Sequence, residues 1–255
     1  MRPLLLLLLF LLASAVQAQP SAERLFYGWL DAQREAARER VGTGAVVTFT
    51  ERAERRFDGL RGERVIETES FVTWNGDGLY HDVLRARVDG QELPPEDVDI
   101  LEDRLDDAHG PELQLLRRAP ILSVRLFGAF SPTGPAKRVE RDGQTLWRVP
   151  AEPDAPRPER PRAQLYFALS DGAPRLVEAE LTLTPPVPPR GRRGPPPPDV
   201  RIDIEARFTR SPDGLDLASR QRVEAVVQQR RRLREFSVSV VADLRFSDYQ
   251  LRPRR

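Results

Sequence analysis

The sequence predicts an α+β fold: a large curved antiparallel β-sheet of about ten strands under an N-terminal amphipathic helix and a helical insertion. Most of the chain after residue 44 alternates apolar and polar residues, which is typical of strands with one buried and one solvated face. Two other segments repeat apolar residues at three- and four-residue spacing, which indicates helices. A twisted sheet of this size is expected to curl.

The N-terminus predicts export. Arg2 precedes an apolar run from Leu4 to Leu12, and Val16-Gln17-Ala18 offers a small-residue cleavage site. The run is too short to cross a bilayer core of about 30 Å, so residues 1–18 are interpreted as a signal peptide; the alternative is a buried N-terminal helix. We expect residues 19–255 to be a single half-barrel domain that is soluble and periplasmic or otherwise extracytoplasmic.

Composition excludes several classes of protein. Lys+Arg is 40 and Asp+Glu is 39, and a net charge of +1 argues against nucleic-acid binding. A hydrophobic fraction of 40% suffices for a core but is too low for a multi-span helical membrane protein. Because cysteine is absent, disulfides, thiol chemistry and cysteine-ligated metals are excluded.

Two helical segments are predicted, each with one apolar side. The first runs from a Ser21 cap to about residue 40 and ends before Gly42 and Gly44. Its apolar side carries Leu25, Phe26, Trp29, Leu30 and Ala37. The second is an insertion at 94–130, in which apolar residues recur at Val98, Leu101 and Leu105. We expect both to pack on the sheet.

The strands are predicted from period-two alternation and from Asp-Gly and Asn-Gly turn signals. In the first strand, Val47, Phe49, Ala53 and Phe57 alternate with Thr48, Thr50, Arg52 and Glu54. Further strands are expected at 63–74, 79–88, 137–141, 144–149, 163–169, 175–184, 200–210, 215–227 and 236–246. The first three form an antiparallel meander.

Two proline-rich segments, residues 150–161 and 185–199, are expected to be extended solvated loops without sheet pairing. The second contains Arg190, Arg192 and Arg193. We predict that these arginines contact a membrane surface or an envelope protein, the alternative being that they are simply solvated.

No catalytic residues, metal site or cofactor are predicted. His81 and His109 are the only histidines, and His81 and Asp82 point to opposite faces of a strand, so they cannot cooperate easily. The acidic residues between Glu96 and Asp107 lack the spacing and glycine of a calcium loop, and we expect them to form the solvated side of a helix.

The apolar face of the sheet predicts the binding site. If the helices cover it incompletely, an apolar cavity remains; the alternative is a fully packed core. The candidate lining residues are Leu25, Trp29, Val47, Phe49, Val72, Trp74, Leu165, Phe167, Leu181, Ile202, Ile204, Phe236, Val238 and Val240.

Three stretches carry a resemblance to a known family. They are Asp142 to Val149 with Pro153, Gln164 to Phe167 followed by Asp171-Gly172, and Asp213 to Leu217 with the closing Phe246 to Tyr249. Together with the layout of elements, they resemble the outer-membrane lipoprotein-sorting carriers (LolA-type). The resemblance implies a half-open barrel whose concave side binds acyl chains of a lipid or acylated protein, without catalysis. Two alternatives stay open: a periplasmic sensor or scaffold with a filled core that binds a protein partner, and a small outer-membrane barrel.

Overall fold

The computed structural model describes residues 19–41, 46–59, 62–74, 79–107, 127–155, 161–184, 199–231 and 234–252. The predicted signal peptide, His109, and Arg190, Arg192 and Arg193 of the proline-rich segment lie outside the described residues.

Two helices are described. Helix α1 (Ala22–Val41) begins where predicted, because the Ser21 Oγ accepts a hydrogen bond from the Arg24 amide at 3.1 Å. Helix α2 (Pro95–Asp107) occupies the first part of the predicted insertion and packs on the third strand. The rest of that insertion, up to residue 126, lies outside the described residues.

Twelve strands are described, where about ten are expected from the turn spacing. The two additional strands, β4 and β5, have two and three residues and are too short to produce an alternating pattern. The strands are β1 (Val46–Gly59), β2 (Gly62–Trp74), β3 (Leu79–Val88), β4 (Gln91–Glu92), β5 (Phe130–Pro132), β6 (Lys137–Arg141), β7 (Gln144–Pro153), β8 (Arg162–Ser170), β9 (Ala173–Leu183), β10 (Asp199–Arg210), β11 (Asp216–Arg231) and β12 (Arg234–Arg252).

All strand pairs are antiparallel and belong to one sheet, in the order β4-β3-β2-β1-β12-β11-β10-β9-β8-β7-β5, with β6 also paired to β7. The first strand pairs with the last, so β1 and β12 are neighbours near the middle of the sheet. Since the two outermost strands do not pair with each other, the sheet is open, and the fold is an α+β half-barrel.

Three Asp-Gly turns have the backbone that a two-residue hairpin requires; those at Asp142 and Asp171 are predicted hairpins, and Asp89 is predicted only to end a strand. Asp89, Asp142 and Asp171 have φ of 52°, 49° and 51°, and the glycine after each has φ between 74° and 81°. Consecutive positive φ values match the right-handed twist of the flanking strands. The predicted turn at residues 75–78 lies outside the described residues.

The prediction that residues 150–161 form an unpaired loop is wrong for the first part of that segment. Strand β7 continues to Pro153, and Pro150 is paired opposite Gln164 of β8. On its other side β7 changes partner at this point, since Arg148 is opposite Lys137 of β6 and Ala151 is opposite Pro132 of β5. At that junction, the missing N–H of Pro150 disrupts no regular ladder.

Successive side chains of a strand point to opposite faces of the sheet, and directly paired residues of antiparallel strands point to the same face. The register therefore assigns each strand residue to one of two faces. We call the face that α1 covers the inner face and the opposite one the outer face. The inner face holds one apolar core that includes residues of α1, β1, β2, β5 and β7 to β12.

Candidate functional site

Eleven of the fourteen predicted lining residues are buried in the core of the inner face. Trp29 of α1 lies over β8, with its ring centroid 5.8 Å from that of Phe167 and 6.3 Å from that of Phe127. This half of the inner face is therefore filled by the protein's own side chains. The eleven residues are Leu25, Trp29, Val47, Phe49, Val72, Trp74, Leu165, Phe167, Leu181, Ile202 and Ile204.

Val238 and Val240, the other two predicted lining residues with described side chains, are only half-buried. The side chain of Phe236 lies outside the described part of the structure. Val240 is paired with Phe57 of β1 and Ala225 of β11, and all three are half-buried apolar residues. We call this region the distal strip; it consists of Phe57, Ile66, Val223, Ala225, Val227, Val238, Val240 and Ala242.

Along β1, a largely buried ion pair lies between the filled half of the inner face and the distal strip. Arg55 Nη2 lies 3.0 Å from Glu51 Oε1, and Arg55 Nη1 donates to Thr68 Oγ1 at 2.9 Å. The two side chains are only 18% and 8% exposed. Positions 51 and 55 lie on the same face as the alternating apolar residues of β1, which are Val47, Phe49, Ala53 and Phe57. Strand alternation therefore places Glu51 and Arg55 on the inner face, but a search for apolar residues alone does not identify them.

Polar contacts of Gln33 and Trp29 fasten α1 to the sheet. Gln33 Nε2 donates to the Gly214 carbonyl at 3.0 Å, and Gln33 Oε1 accepts from the Asp216 amide at 2.8 Å. Trp29 Nε1 donates to Asp216 Oδ2 at 3.0 Å. The same carboxylate oxygen accepts from the Leu176 amide at 3.1 Å, so α1, β9 and β11 meet at one buried group.

Asp216 is 2% exposed. Burial raises the pKa of its carboxyl group, and the hydrogen bond from Trp29 partly opposes that rise. The sequence predicts Asp213-Gly214 as a turn but gives no sign that Asp216 binds a helix that begins 194 residues earlier, at Ala22.

The described residues contain no group of three or more His, Asp or Glu side chains placed to hold a metal ion. His81 is buried on the inner face opposite Val72, while Asp82 is exposed, so the two point apart as predicted. No described helix is long and apolar enough to cross a bilayer.

One residue of the acidic helix is not simply solvated. Glu102 of α2 accepts a hydrogen bond from the Val83 amide of β3 at 3.1 Å. The described part of β3 pairs with β2 along one edge. Along its other edge, only Arg87 and Val88 pair with a strand, which is β4. The expectation that the acidic residues form only the solvated side of a helix is therefore wrong at Glu102. This side chain accepts a hydrogen bond from an edge-strand amide that would otherwise have no strand partner.

Comparison with known proteins finds similarity only in structure. No protein-family model matches the chain, and no curated protein matches it. Among solved structures it is similar to a Vibrio parahaemolyticus domain described as an outer membrane lipoprotein-sorting protein. The identity is 10%, the TM-score is 0.36, and the match covers 88% of this chain and 92% of that one.

Two further structures are similar over most of this chain. One is lipovitellin, in a structure concerned with its lipid–protein interactions, at 8% identity and a TM-score of 0.36; the match covers 83% of this chain and 26% of lipovitellin. The other is MucB in complex with MucA(peri), at 14% identity and a TM-score of 0.21, covering 90% and 99% of the two chains. A lipoprotein-sorting domain, as the sequence predicts, is thus among the structures that this chain resembles.

Proposed function

We propose that this chain is an extracytoplasmic binding protein that holds acyl chains of a lipid or acylated protein on the inner face of its half-barrel, without catalysis. The observation that carries the proposal is the distal strip. It adjoins the buried apolar core through Val223 and Ala225 of β11, which pack against that core, yet its side chains are half-buried. Contiguous partly exposed apolar surface is what an acyl chain covers when it binds.

Burial of methylene groups provides the driving force. Each buried CH₂ contributes about 0.8 kcal/mol, so a chain of about 14 carbons has on the order of 10 kcal/mol available before binding costs. In the described conformation Val238 and Val240 are the predicted residues placed to contact such a chain. The eleven buried lining residues, Trp29 included, are not accessible to a ligand in the described conformation.

The location of the protein is part of the proposal. The signal peptide that the sequence predicts over residues 1–18 supports export, and no residue type in the chain requires a reducing compartment because cysteine is absent. Arg190, Arg192 and Arg193 are proposed to contact an anionic membrane surface or an envelope protein during delivery.

The test uses two neighbouring valines of β12. Val240 lies on the inner face opposite Phe57, and Val241 lies on the outer face opposite Arg56. We expect the mature chain to bind a fluorescent fatty-acid probe, and we expect Val240→Glu to weaken that binding at least about tenfold, because a buried charge opposes chain burial. The Val241→Glu variant, with the same charge on the same strand, is expected to bind like the parent.

Mass spectrometry of an organic extract of the purified protein gives the second readout. Co-purified acyl species support the proposal. An extract without acyl chains from two different hosts, together with no probe binding, would overturn it.

The burial of the other eleven residues favours a second candidate function, a sensor or scaffold with a filled core that binds a protein partner. This candidate predicts no probe binding by the parent protein. It also predicts a partner that is retained on the Val240→Glu variant.

A further inference from the structure

A second, basic site lies on the outer face, away from the acyl-binding surface. Lys137 of β6 and Arg148 of β7 are directly opposite each other in the strand register. Together with Gln164 of β8 they line a cavity of about 290 Å³, whose remaining walls are Pro135 and Pro150. Three neighbouring strands thus direct nitrogen-bearing side chains to one place.

Neither cation has an acidic partner among the described residues, although most arginines of the outer face do. The carboxylates of the adjoining strand β9 are already engaged. Glu178 Oε1 lies 2.7 Å from Arg141 Nη1, and Glu180 Oε1 lies 2.6 Å from Arg141 Nη2. The second oxygen of Glu180 accepts from the Tyr166 hydroxyl at 2.9 Å.

This arrangement costs stability unless an anion occupies the site. Like charges directly opposite each other on paired strands repel. Arg148 is half-buried, so water screens its charge less than that of a fully exposed arginine. The two prolines of the cavity wall supply no backbone N–H donor, which leaves the donors of Lys137, Arg148 and Gln164 to define the ligand.

We propose that this cavity binds a phosphate group. A guanidinium presents a planar fork of donors that binds two phosphate oxygens, and an ammonium acts as a compact point charge for a third. Donors from three strands around one cavity suit a tetrahedral oxyanion, which presents oxygens in several directions, better than a planar carboxylate. Inorganic phosphate and the headgroup of an anionic phospholipid share this chemistry. The site does not depend on acyl-chain binding by the inner face.

The experiment measures binding by the mature chain in two arms, one with inorganic phosphate by calorimetry and one with phosphatidylglycerol vesicles by co-sedimentation. The variants are Lys137→Gln and Arg148→Gln. The matched control is Arg138→Gln, which removes the same charge from the same strand at an exposed residue outside the cavity. Circular dichroism melting confirms that each variant is folded.

We expect saturable binding in at least one arm, weakened about tenfold by each cavity variant and unchanged in Arg138→Gln. Binding of free phosphate identifies an ion site, and binding of vesicles alone identifies the lipid headgroup as the source; either result supports the proposal if both cavity residues are required. The proposal is overturned if neither arm shows binding, or if the control variant weakens binding as much as the cavity variants do.

Discussion

Glu51 and Arg55 form a 3.0 Å ion pair along one strand, across the small side chain of Ala53. Residues four apart on a strand are separated by about 13 Å between Cα atoms, so the arginine must lie nearly flat along β1 to reach its partner. Its second nitrogen donates to Thr68, the residue paired with Ala53, which places the guanidinium over that small residue. The inner face therefore carries one desolvated ion pair within an apolar wall.

Glu51→Gln is expected to destabilise the protein by about 3 kcal/mol, because it leaves the Arg55 guanidinium in a largely buried position without its counter-charge. The free energy of unfolding, measured by urea titration, checks this. The double variant Glu51→Leu/Arg55→Met is expected to lose far less, or to gain stability, since removing both charges also removes their desolvation cost. If Glu51→Gln unfolds like the parent protein, the pair contributes nothing and the guanidinium is solvated in solution.

The parts of the fold that follow from local sequence are predicted well. The cap at Ser21, the hairpin turns at Asp142 and Asp171 and the meander of β1 to β3 all depend on residues within a few positions of one another. The packing of α1 over the inner face does not follow from local sequence. Whether Trp29 lines a cavity or fills a core depends on how closely α1 approaches β8 and β9, and no periodicity specifies that distance.

Long-range polar contacts are the other part that sequence patterns do not reveal. Asp216 lies in an alternating strand, where it looks like any solvated residue beside a turn. Its role follows only from the fold, which brings it within 3.0 Å of the Trp29 indole nitrogen across 187 positions of sequence. The burial of Glu51 and Arg55 is missed for a related reason. A pattern that identifies the buried face from its apolar residues does not detect charged residues on the same face.

Asp216 is expected to make the stability of the protein depend on pH. Because burial raises the pKa of its carboxyl group above the usual value of 3.8, the folded protein retains this proton at pH values where the unfolded chain has lost it. Below the usual carboxyl pKa of 3.8, Asp216 contributes its full stability to the folded protein. This contribution falls as pH rises through the folded-state pKa. Asp216→Asn keeps an acceptor oxygen for Trp29 and Leu176, so its stability relative to the parent should improve as pH rises above the usual carboxyl pKa of 3.8.

The control for this measurement is Asp82→Asn, which makes the same charge change at an exposed aspartate on β3. Asp216→Ala separates charge from hydrogen bonding. It leaves the Trp29 and Leu176 donors buried without their acceptor and should cost about 2–4 kcal/mol at every pH. A parent-minus-Asn difference that is flat across the range would contradict the raised pKa.

Glu102 of α2 is expected to protect the edge of the sheet. Glu102→Ala removes the acceptor for the Val83 amide, so hydrogen exchange at that amide should become about fivefold or more faster, corresponding to about 1 kcal/mol. Asp103→Ala, an exposed acidic residue next to it on the same helix, is the matched control and should leave the exchange rate of Val83 unchanged. Equal exchange rates in the two variants would show that α2 does not hold the edge in solution.

Tyr166 is expected to ionise at a much higher pH than an ordinary tyrosine. Burial raises its pKa to about 12, helped by the hydrogen bond that its hydroxyl donates to Glu180. Since the folded-state pKa exceeds the usual 10.0, the stability that Tyr166 contributes is full below pH 10.0 and is lost as pH rises toward 12. Tyr166→Phe should flatten that loss, and Glu180→Gln should lower the pKa of Tyr166, because it removes a negative charge and leaves Arg141 less neutralised.

Carbon-13 tyrosine NMR follows the titration directly, with Glu152→Gln as the control at an exposed acid of β7. A Tyr166 resonance that titrates near 10.0 in the parent protein would mean that the cluster of Arg141, Tyr166 and Glu180 does not exist in solution.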